Sequence, residues 1–195
     1  MKKKIIALTL AALMALSLAA CGAAETEEAA EAETEAAAET EAAETEEASM
    51  GLANPWSSAS TPEEAAEGAG VGYFQVPEDE TETSGGPVHW SGYQYMEGLA
   101  EADGSVGAAD LTVRKGLKQN SEDVSGDYTE YDYQWTQEVD GWEVACSGNE
   151  EGKAMKAIWL SDNFSYSIAV RGQGDESDTY GLDADAITTL VSAIQ

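Results

Sequence analysis

The residue best suited to chemistry in this chain is a cysteine that follows a short run of apolar and small residues. Leu18, Ala19 and Ala20 stand directly before Cys21. A cysteine thiolate is the strongest common side-chain nucleophile and can take a diacylglyceryl group, and two alanines are small enough for a signal peptidase to cut after them. This lipobox pattern predicts that Cys21 is lipidated and becomes the first residue of the mature protein.

The residues before this pattern are typical of a secretory signal. Lys2, Lys3 and Lys4 give it a positive start, and the apolar stretch 5–18 is shorter than the roughly 20 residues that a membrane-spanning helix needs. We therefore expect residues 1–20 to be a lipoprotein signal peptide. The mature protein is then held by its lipid at the extracytoplasmic face of the cell membrane. An ordinary secretory signal with a chance cysteine is the alternative.

The sequence contains no recognisable set of catalytic residues. His89 is the only histidine, and neither a Gly-x-Ser-x-Gly elbow, a phosphate-binding glycine loop nor a Cys-x-x-Cys motif occurs. We interpret His89 as a structural or exposed residue rather than a catalytic base. A hydrolase would need a nucleophile with a base, or a metal, so we expect no enzymatic activity and no cofactor.

The second cysteine and an acidic cluster each allow two interpretations. Once Cys21 carries lipid, Cys146 has no partner in the chain, and its strand-like surroundings favour a buried apolar residue over a reactive thiol. Residues 175–178 and 183–185 offer oxygen ligands of the type that Ca²⁺ takes, but their spacing does not fit a twelve-residue calcium loop. A solvated loop followed by the acidic start of a helix is the simpler interpretation.

A set of aromatic residues is the most suggestive candidate for a ligand surface. Tyr131, Tyr133 and Trp135 alternate with polar residues over 129–139, which is the period of a strand with one apolar face. These side chains could line a cleft between a sheet and a helix and hold an apolar ligand there. The alternative is that they belong to the hydrophobic core.

The charge of the chain limits its partners. The sequence has 9 basic and 38 acidic residues and a net charge of −29, and the loss of three lysines with the signal peptide takes this to −32. Such a charge repels nucleic acid, so we expect none as a partner, whereas a cationic partner or a cell-wall component with amines is compatible. High charge also serves solubility alone. We expect residues 21–49, rich in Ala, Glu and Thr after the lipidated cysteine, to be a disordered acidic tether.

Residues 50–195 are expected to form one α+β domain. The pattern predicts a single curved antiparallel sheet of about six strands in meander order, with a short first helix and a final helix packed on one face. Thr61 and Asp183 are the expected N-caps of these helices. Turns are predicted at Asp103–Gly104 and at Asp140–Gly141. The final helix carries an apolar stripe made of Ile187, Leu190, Val191 and Ile194.

Several pieces of sequence occur in a suggestive order behind the lipobox. They are Asn54-Pro55-Trp56, the segment 125–131, Trp159 followed by Tyr166-Ser167-Ile168, and the final helix. In this order the chain resembles a family of small Gram-positive lipoproteins with an uncharacterised C-terminal domain. More distantly, its strand-then-helix ending is similar to the half-barrel domain of lipoprotein carriers and anti-sigma-factor binding proteins. The resemblance implies binding or sensing at the cell surface, and it supplies no catalytic residues.

The sequence is therefore compatible with two functions. A membrane-anchored, non-catalytic binding or sensing module would use the aromatic strand and the helix as a recognition surface. A carrier-like domain would instead shelter a lipid or another apolar ligand between the sheet and the helix. A large apolar cavity at that place would favour the carrier.

Overall fold

The computed structural model of the protein describes residues 54–174 and 179–195. The described residues belong to one compact unit. The signal peptide, the lipobox with Cys21 and the acidic tether lie outside the described residues, as does the acidic segment 175–178. In the described part of the chain, no helix has both the length and the apolar character needed to cross a membrane.

Nine strands and two helices make up the described fold, which is therefore α+β as predicted. The strands are β1 (Ser57–Ala59), β2 (Glu82–Thr83), β3 (Gly86–Met96), β4 (Leu99–Val106), β5 (Ala109–Leu117), β6 (Tyr133–Val139), β7 (Trp142–Gly148), β8 (Lys156–Leu160) and β9 (Phe164–Arg171). The helices are α1 (Pro62–Ala69) and α2 (Ala184–Ala193).

The strands form one antiparallel sheet from two meanders. The strand order is β1-β3-β4-β5-β9-β8-β7-β6, with β2 beside β3. β3 to β5 make the first meander, β6 to β9 make the second, and the two join where β5 pairs with β9. The sheet is not closed, since β1 and β6 lie at opposite ends of the strand order. α2 contacts both β2, which pairs with β3, and β6, at the far end of the strand order.

The prediction of about six strands in simple meander order was wrong in number and in order. β1, β2 and β4 were not anticipated, and the turn predicted at Asp103–Gly104 lies inside β4, where Gly104 pairs with Trp90. A Cβ atom at Gly104 would collide with the backbone carbonyl of His89. This glycine therefore permits close approach of two strands beside a β-bulge in β3, and the chain turns at Glu97–Gly98 instead.

The longest predicted strand, over 129–139, begins only at Tyr133. β7 ends at Gly148, which pairs with Tyr133, so the residues before Tyr133 have no partner strand there. Thr129 instead donates its backbone N–H to Asp127 Oδ1 at 2.9 Å. Local bonds of this kind compete with strand pairing, and they prevail here because the neighbouring strand has ended.

The helix signals and the hairpin signal are confirmed. Thr61 and Asp183 accept first-turn backbone N–H groups of α1 and α2 at 3.2 and 3.0 Å, and the predicted apolar stripe of α2 is buried. In the turn Asp140–Gly141 both residues have positive φ, 51° and 86°, as a type I′ hairpin requires.

Both helices pack on one face of the sheet, which we call the core face. Its largest fully buried side chains include Trp159, Phe74, Leu111, Ile168, Leu182, Ile187 and Leu190. One charged side chain is buried among them: Lys115 Nζ donates to the carbonyl oxygen of Tyr73 and lies 4.5 Å from the ring centre of Phe164. Burial lowers the pKa of Lys115. These buried side chains lie between the sheet and the helices in the described residues.

Candidate functional site

The side of the sheet opposite the helices is polar and partly covered by a loop. We call it the polar face, and it carries Gln94, Glu101, Asp103, Thr112, Arg114, Lys156, Ser165 and Arg171 in alternate positions of their strands. Residues 118–132, the covering loop, connect β5 to β6 and lie against this face. The loop is therefore the second wall of any site on the polar face.

Hydrogen bonds from the strands fix the covering loop in place. Ser165 Oγ donates to the carbonyl oxygen of Ser121 at 2.7 Å. Lys156 Nζ donates to the carbonyl oxygen of Asp127 at 2.9 Å and lies 3.4 Å from the Asp123 carboxylate. These contacts join residues 121–127 of the loop to β8 and β9.

A tyrosine and an aspartate stabilise the second half of the covering loop. The Tyr131 hydroxyl donates to Asp127 Oδ2, and Lys156 lies 5.8 Å from the centre of the Tyr131 ring. Burial alone would raise the pKa of Asp127, but hydrogen bonds from Thr129 and Tyr131 and the charge of Lys156 hold it below its usual range. Burial and the neighbouring carboxylate raise the pKa of Tyr131. Asp127 therefore stays ionised, and Tyr131 keeps the hydroxyl proton that it donates.

An open cleft of about 300 Å³, the basic cleft, lies between the covering loop and strands β5 and β9. Its charged and polar lining includes Asp110, Thr112, Arg114, Asp127, Tyr131 and Arg171. Arg171 is exposed at the end of β9, opposite Asp110 of β5. The cleft thus offers two guanidinium groups together with two carboxylates.

Arg114 is held rigidly beneath the loop. Its Nε donates to the buried carboxylate of Glu101, and its Nη1 lies 3.3 Å from the carbonyl oxygen of Val124. The indole ring of Trp56 lies 5.7 Å from the guanidinium carbon. Burial raises the pKa of Glu101, against the lowering effect of Arg114. A guanidinium fixed by several partners loses little conformational freedom when it meets a ligand.

The three aromatic residues singled out from the sequence do not form one surface. Tyr131, in the covering loop, lines both the basic cleft and a neighbouring cleft of about 380 Å³, the outer cleft. Trp135 borders the outer cleft and packs partly against the core. Tyr133 is 44% exposed at the start of β6. Tyr131 lies outside the strand. The alternation of side chains between the two faces, which predicted one shared face for all three residues, therefore begins only at Tyr133.

The other candidate residues take structural places. Cys146 is 2% exposed, and burial raises its pKa to about 11, so its predicted burial is confirmed. His89 is half exposed, with Nδ1 3.7 Å from the Asp79 carboxylate. Within residues 54–174 and 179–195, no three His, Cys, Asp or Glu side chains are grouped to hold a metal ion. Asp183 is bound by the Ser84 hydroxyl and by the α2 backbone.

The charged residues of the polar face were not singled out from the sequence, although a signal for them exists. Only six basic residues lie in 50–195, and three of these, Arg114, Lys156 and Arg171, lie on this face. Glu101 and Asp103 lie on the same face, so bases and acids meet there. Chemically the arrangement can hold a polar ligand through hydrogen bonds and charge.

No protein-family model, curated protein or solved structure matches this chain. The resemblance to small Gram-positive lipoproteins, and the more distant one to carrier and anti-sigma-factor binding domains, therefore stay predictions from the sequence.

Proposed function

We propose that this protein is a lipid-anchored, extracytoplasmic binding module without catalytic activity, and that the basic cleft is its ligand site. The observation that carries the proposal is the meeting of Arg114, Arg171 and Tyr131 around one cleft beneath a fixed loop. Arginine is well suited to hold carboxylate and phosphate groups, because its planar group can donate two parallel hydrogen bonds. The loop backbone adds donors and acceptors, and the Tyr131 hydroxyl, whose hydrogen is donated to Asp127, adds an acceptor.

The charges in and around the cleft limit which class of ligand can bind there. The net charge of −29 repels multiply charged anions at a distance. Arg171 nevertheless favours one anionic group, and Asp110, opposite it on β5, favours a nearby amine. A small zwitterion, such as an amino acid or a short peptide from a cell-wall component, offers one anionic group to Arg171 and one amine to Asp110. A volume of about 300 Å³ is at the lower end for small-molecule sites, which suits a ligand of this size.

Titration calorimetry with a panel of amino acids and dipeptides tests the ligand site. Arg171→Gln should weaken the binding of a panel member about tenfold or more, because a hydrogen bond to a charged group is worth about 1.5–3 kcal/mol. Lys118→Gln removes the same charge outside the cleft and serves as the matched control. Equal affinities of the two variants, or no binding by any panel member, would contradict the site.

The anchor needs a separate experiment. Metabolic labelling with a radioactive fatty acid should label the wild-type chain and Cys146→Ala but not Cys21→Ala, and only Cys21→Ala should leave the membrane fraction or stay uncleaved. Fatty acid on Cys21→Ala in the membrane fraction would show that the lipobox interpretation is wrong.

The carrier function is the second candidate, and one observation favours it. A cleft of about 380 Å³ beside the last turn of α2 is lined partly by Trp142, Trp159, Tyr166 and Ile194. The almost complete burial of Phe74 and Trp159 between sheet and helices counts against the carrier, because these side chains occupy space that an apolar ligand would need. Native mass spectrometry of the protein purified from its producing cell distinguishes the two functions: a co-purifying lipid, beyond the covalent one, supports the carrier.

A further inference from the structure

β6 is an end strand of the sheet, with β7 on one side only. In the described part of the chain, no backbone group bonds to its other side. Because Val139 pairs with Trp142 across a two-residue turn, the residues that bond to β7 are Tyr133, Trp135, Gln137 and Val139. The backbone N–H and C=O groups of the alternate residues, Gln134, Thr136 and Glu138, therefore point away from the sheet. All three of these residues are exposed.

The charged residues of β6 and of the segments that flank it in sequence are all acidic, and the nearest base, Lys156 of β8, which lines the outer cleft with Gln134 and Thr136, is bound to the covering loop. Residues 130–143 contain no lysine or arginine, and their acids are Glu130, Asp132, Glu138, Asp140 and Glu143. Self-pairing of two β6 strands would bring these acids together, and like charges on neighbouring strands are destabilising. Charge complementarity thus disfavours a second copy of this chain and favours a basic occupant.

We propose that the free edge of β6 binds an extended peptide segment with alternating basic and apolar side chains, which adds to the sheet as a further strand. Backbone hydrogen bonds to Gln134, Thr136 and Glu138 would supply the affinity. Basic side chains on the polar-face side would lie near Glu138. Apolar side chains on the other side would lie near Tyr133, which is 44% exposed. This surface is separate from the basic cleft and does not depend on the proposed ligand there.

A matched pair of variants at one position tests the backbone contact. Thr136→Pro removes an outward N–H without breaking a bond to β7, and Thr136→Ala keeps that N–H. The probe is a fluorescein-labelled peptide of alternating lysine and valine with the length of β6, 7 residues, and its anisotropy is followed with the whole chain purified in detergent. Wild type and Thr136→Ala should bind alike, and Thr136→Pro should bind at least about tenfold more weakly. A peptide with glutamate in place of lysine should not bind.

Two further measurements keep the test decisive if Thr136→Pro does not fold. In the wild type, the probe should slow amide hydrogen exchange at Gln134, Thr136 and Glu138, and Arg171→Gln should leave the affinity for the probe unchanged. Absence of binding, absence of exchange protection, or equal binding by Thr136→Pro and Thr136→Ala would each overturn the proposal. So would concentration-dependent self-association that Thr136→Pro abolishes, because the edge would then belong to a second copy of the chain.

Discussion

The hydrogen bond between Tyr131 and Asp127 joins two residues that line the basic cleft. Tyr131→Phe removes the donor but keeps the ring, which is only 9% exposed and lies 5.8 Å from Lys156. No cavity is created by this change, so the loss is that of one hydrogen bond to a charged acceptor. Such a bond is worth about 1.5–3 kcal/mol, and the partial exposure of Asp127 places the loss near the lower limit, at about 1.5 kcal/mol.

In thermal unfolding followed by circular dichroism, this loss should lower the Tm by about 5 °C for a domain of this size. Tyr133→Phe is the matched control, because Tyr133 is 44% exposed and its change should have an effect within about 0.5 kcal/mol. A double-mutant cycle with Asp127→Asn isolates the pair. Purely additive effects of the two changes would refute the claim that this hydrogen bond holds the covering loop.

The stability difference between wild type and Tyr131→Phe should also depend on pH. The lowered pKa of Asp127 means that its contribution is complete above the unfolded pKa and is lost as the pH falls through the lower, folded pKa. The raised pKa of Tyr131 means that its contribution is complete below about pH 10 and is lost as the pH rises further. The difference should therefore be constant from about pH 5 to 9 and shrink on both sides, as measured by urea unfolding.

Three further predictions concern the fold. Gly104→Ala should lower the free energy of unfolding in urea by about 2–3 kcal/mol, because its Cβ would collide with the His89 carbonyl. Gly92→Ala, with open space around it, should lower it by less than about 0.5 kcal/mol. Equal losses in the two variants would contradict the close strand approach. Cys146, with a pKa raised to about 11, should resist iodoacetamide at pH 8 in the folded protein and react rapidly in guanidinium; fast labelling of the folded state would contradict its burial. Asp183→Ala should remove the cap of α2 and cost about 1 kcal/mol in thermal unfolding, and an unchanged Tm would show that α2 does not need this cap.

The parts of the fold that local chemistry determines were predictable from the sequence. The caps Thr61 and Asp183 and the hairpin at Asp140–Gly141 each depend on a few neighbouring residues, and each is where the sequence placed it. The pairing of β5 with β9 was not predictable in this way, because it joins residues about fifty positions apart through ordinary strand sequences. β1 and β2 were too short to show any period.

Two wrong predictions have a common physical cause. Gly104 has the sequence of a turn, and Tyr131 has the period of a strand, but a contact decides the place of each, a steric one at Gly104 and a polar one at Tyr131. At Gly104 the close approach of β3 demands a residue without Cβ. At Tyr131 the carboxylate of Asp127 offers the hydroxyl a partner that a strand would not offer. Periodicity predicts which face a side chain prefers, and it cannot anticipate contacts that outweigh this preference.

The distribution of charge separates the two proposed binding surfaces. The basic cleft combines Arg114 and Arg171 with Asp110 and Asp127, so a ligand there must be selected by short-range hydrogen bonds at partly buried groups. The free edge of β6 is acidic like its surroundings, so a basic peptide is attracted to it from a distance. Salt screens the long-range attraction much more than the short-range contacts. Raising the ionic strength should therefore weaken binding at the β6 edge strongly and binding in the basic cleft only slightly, which makes the two surfaces separable in one protein.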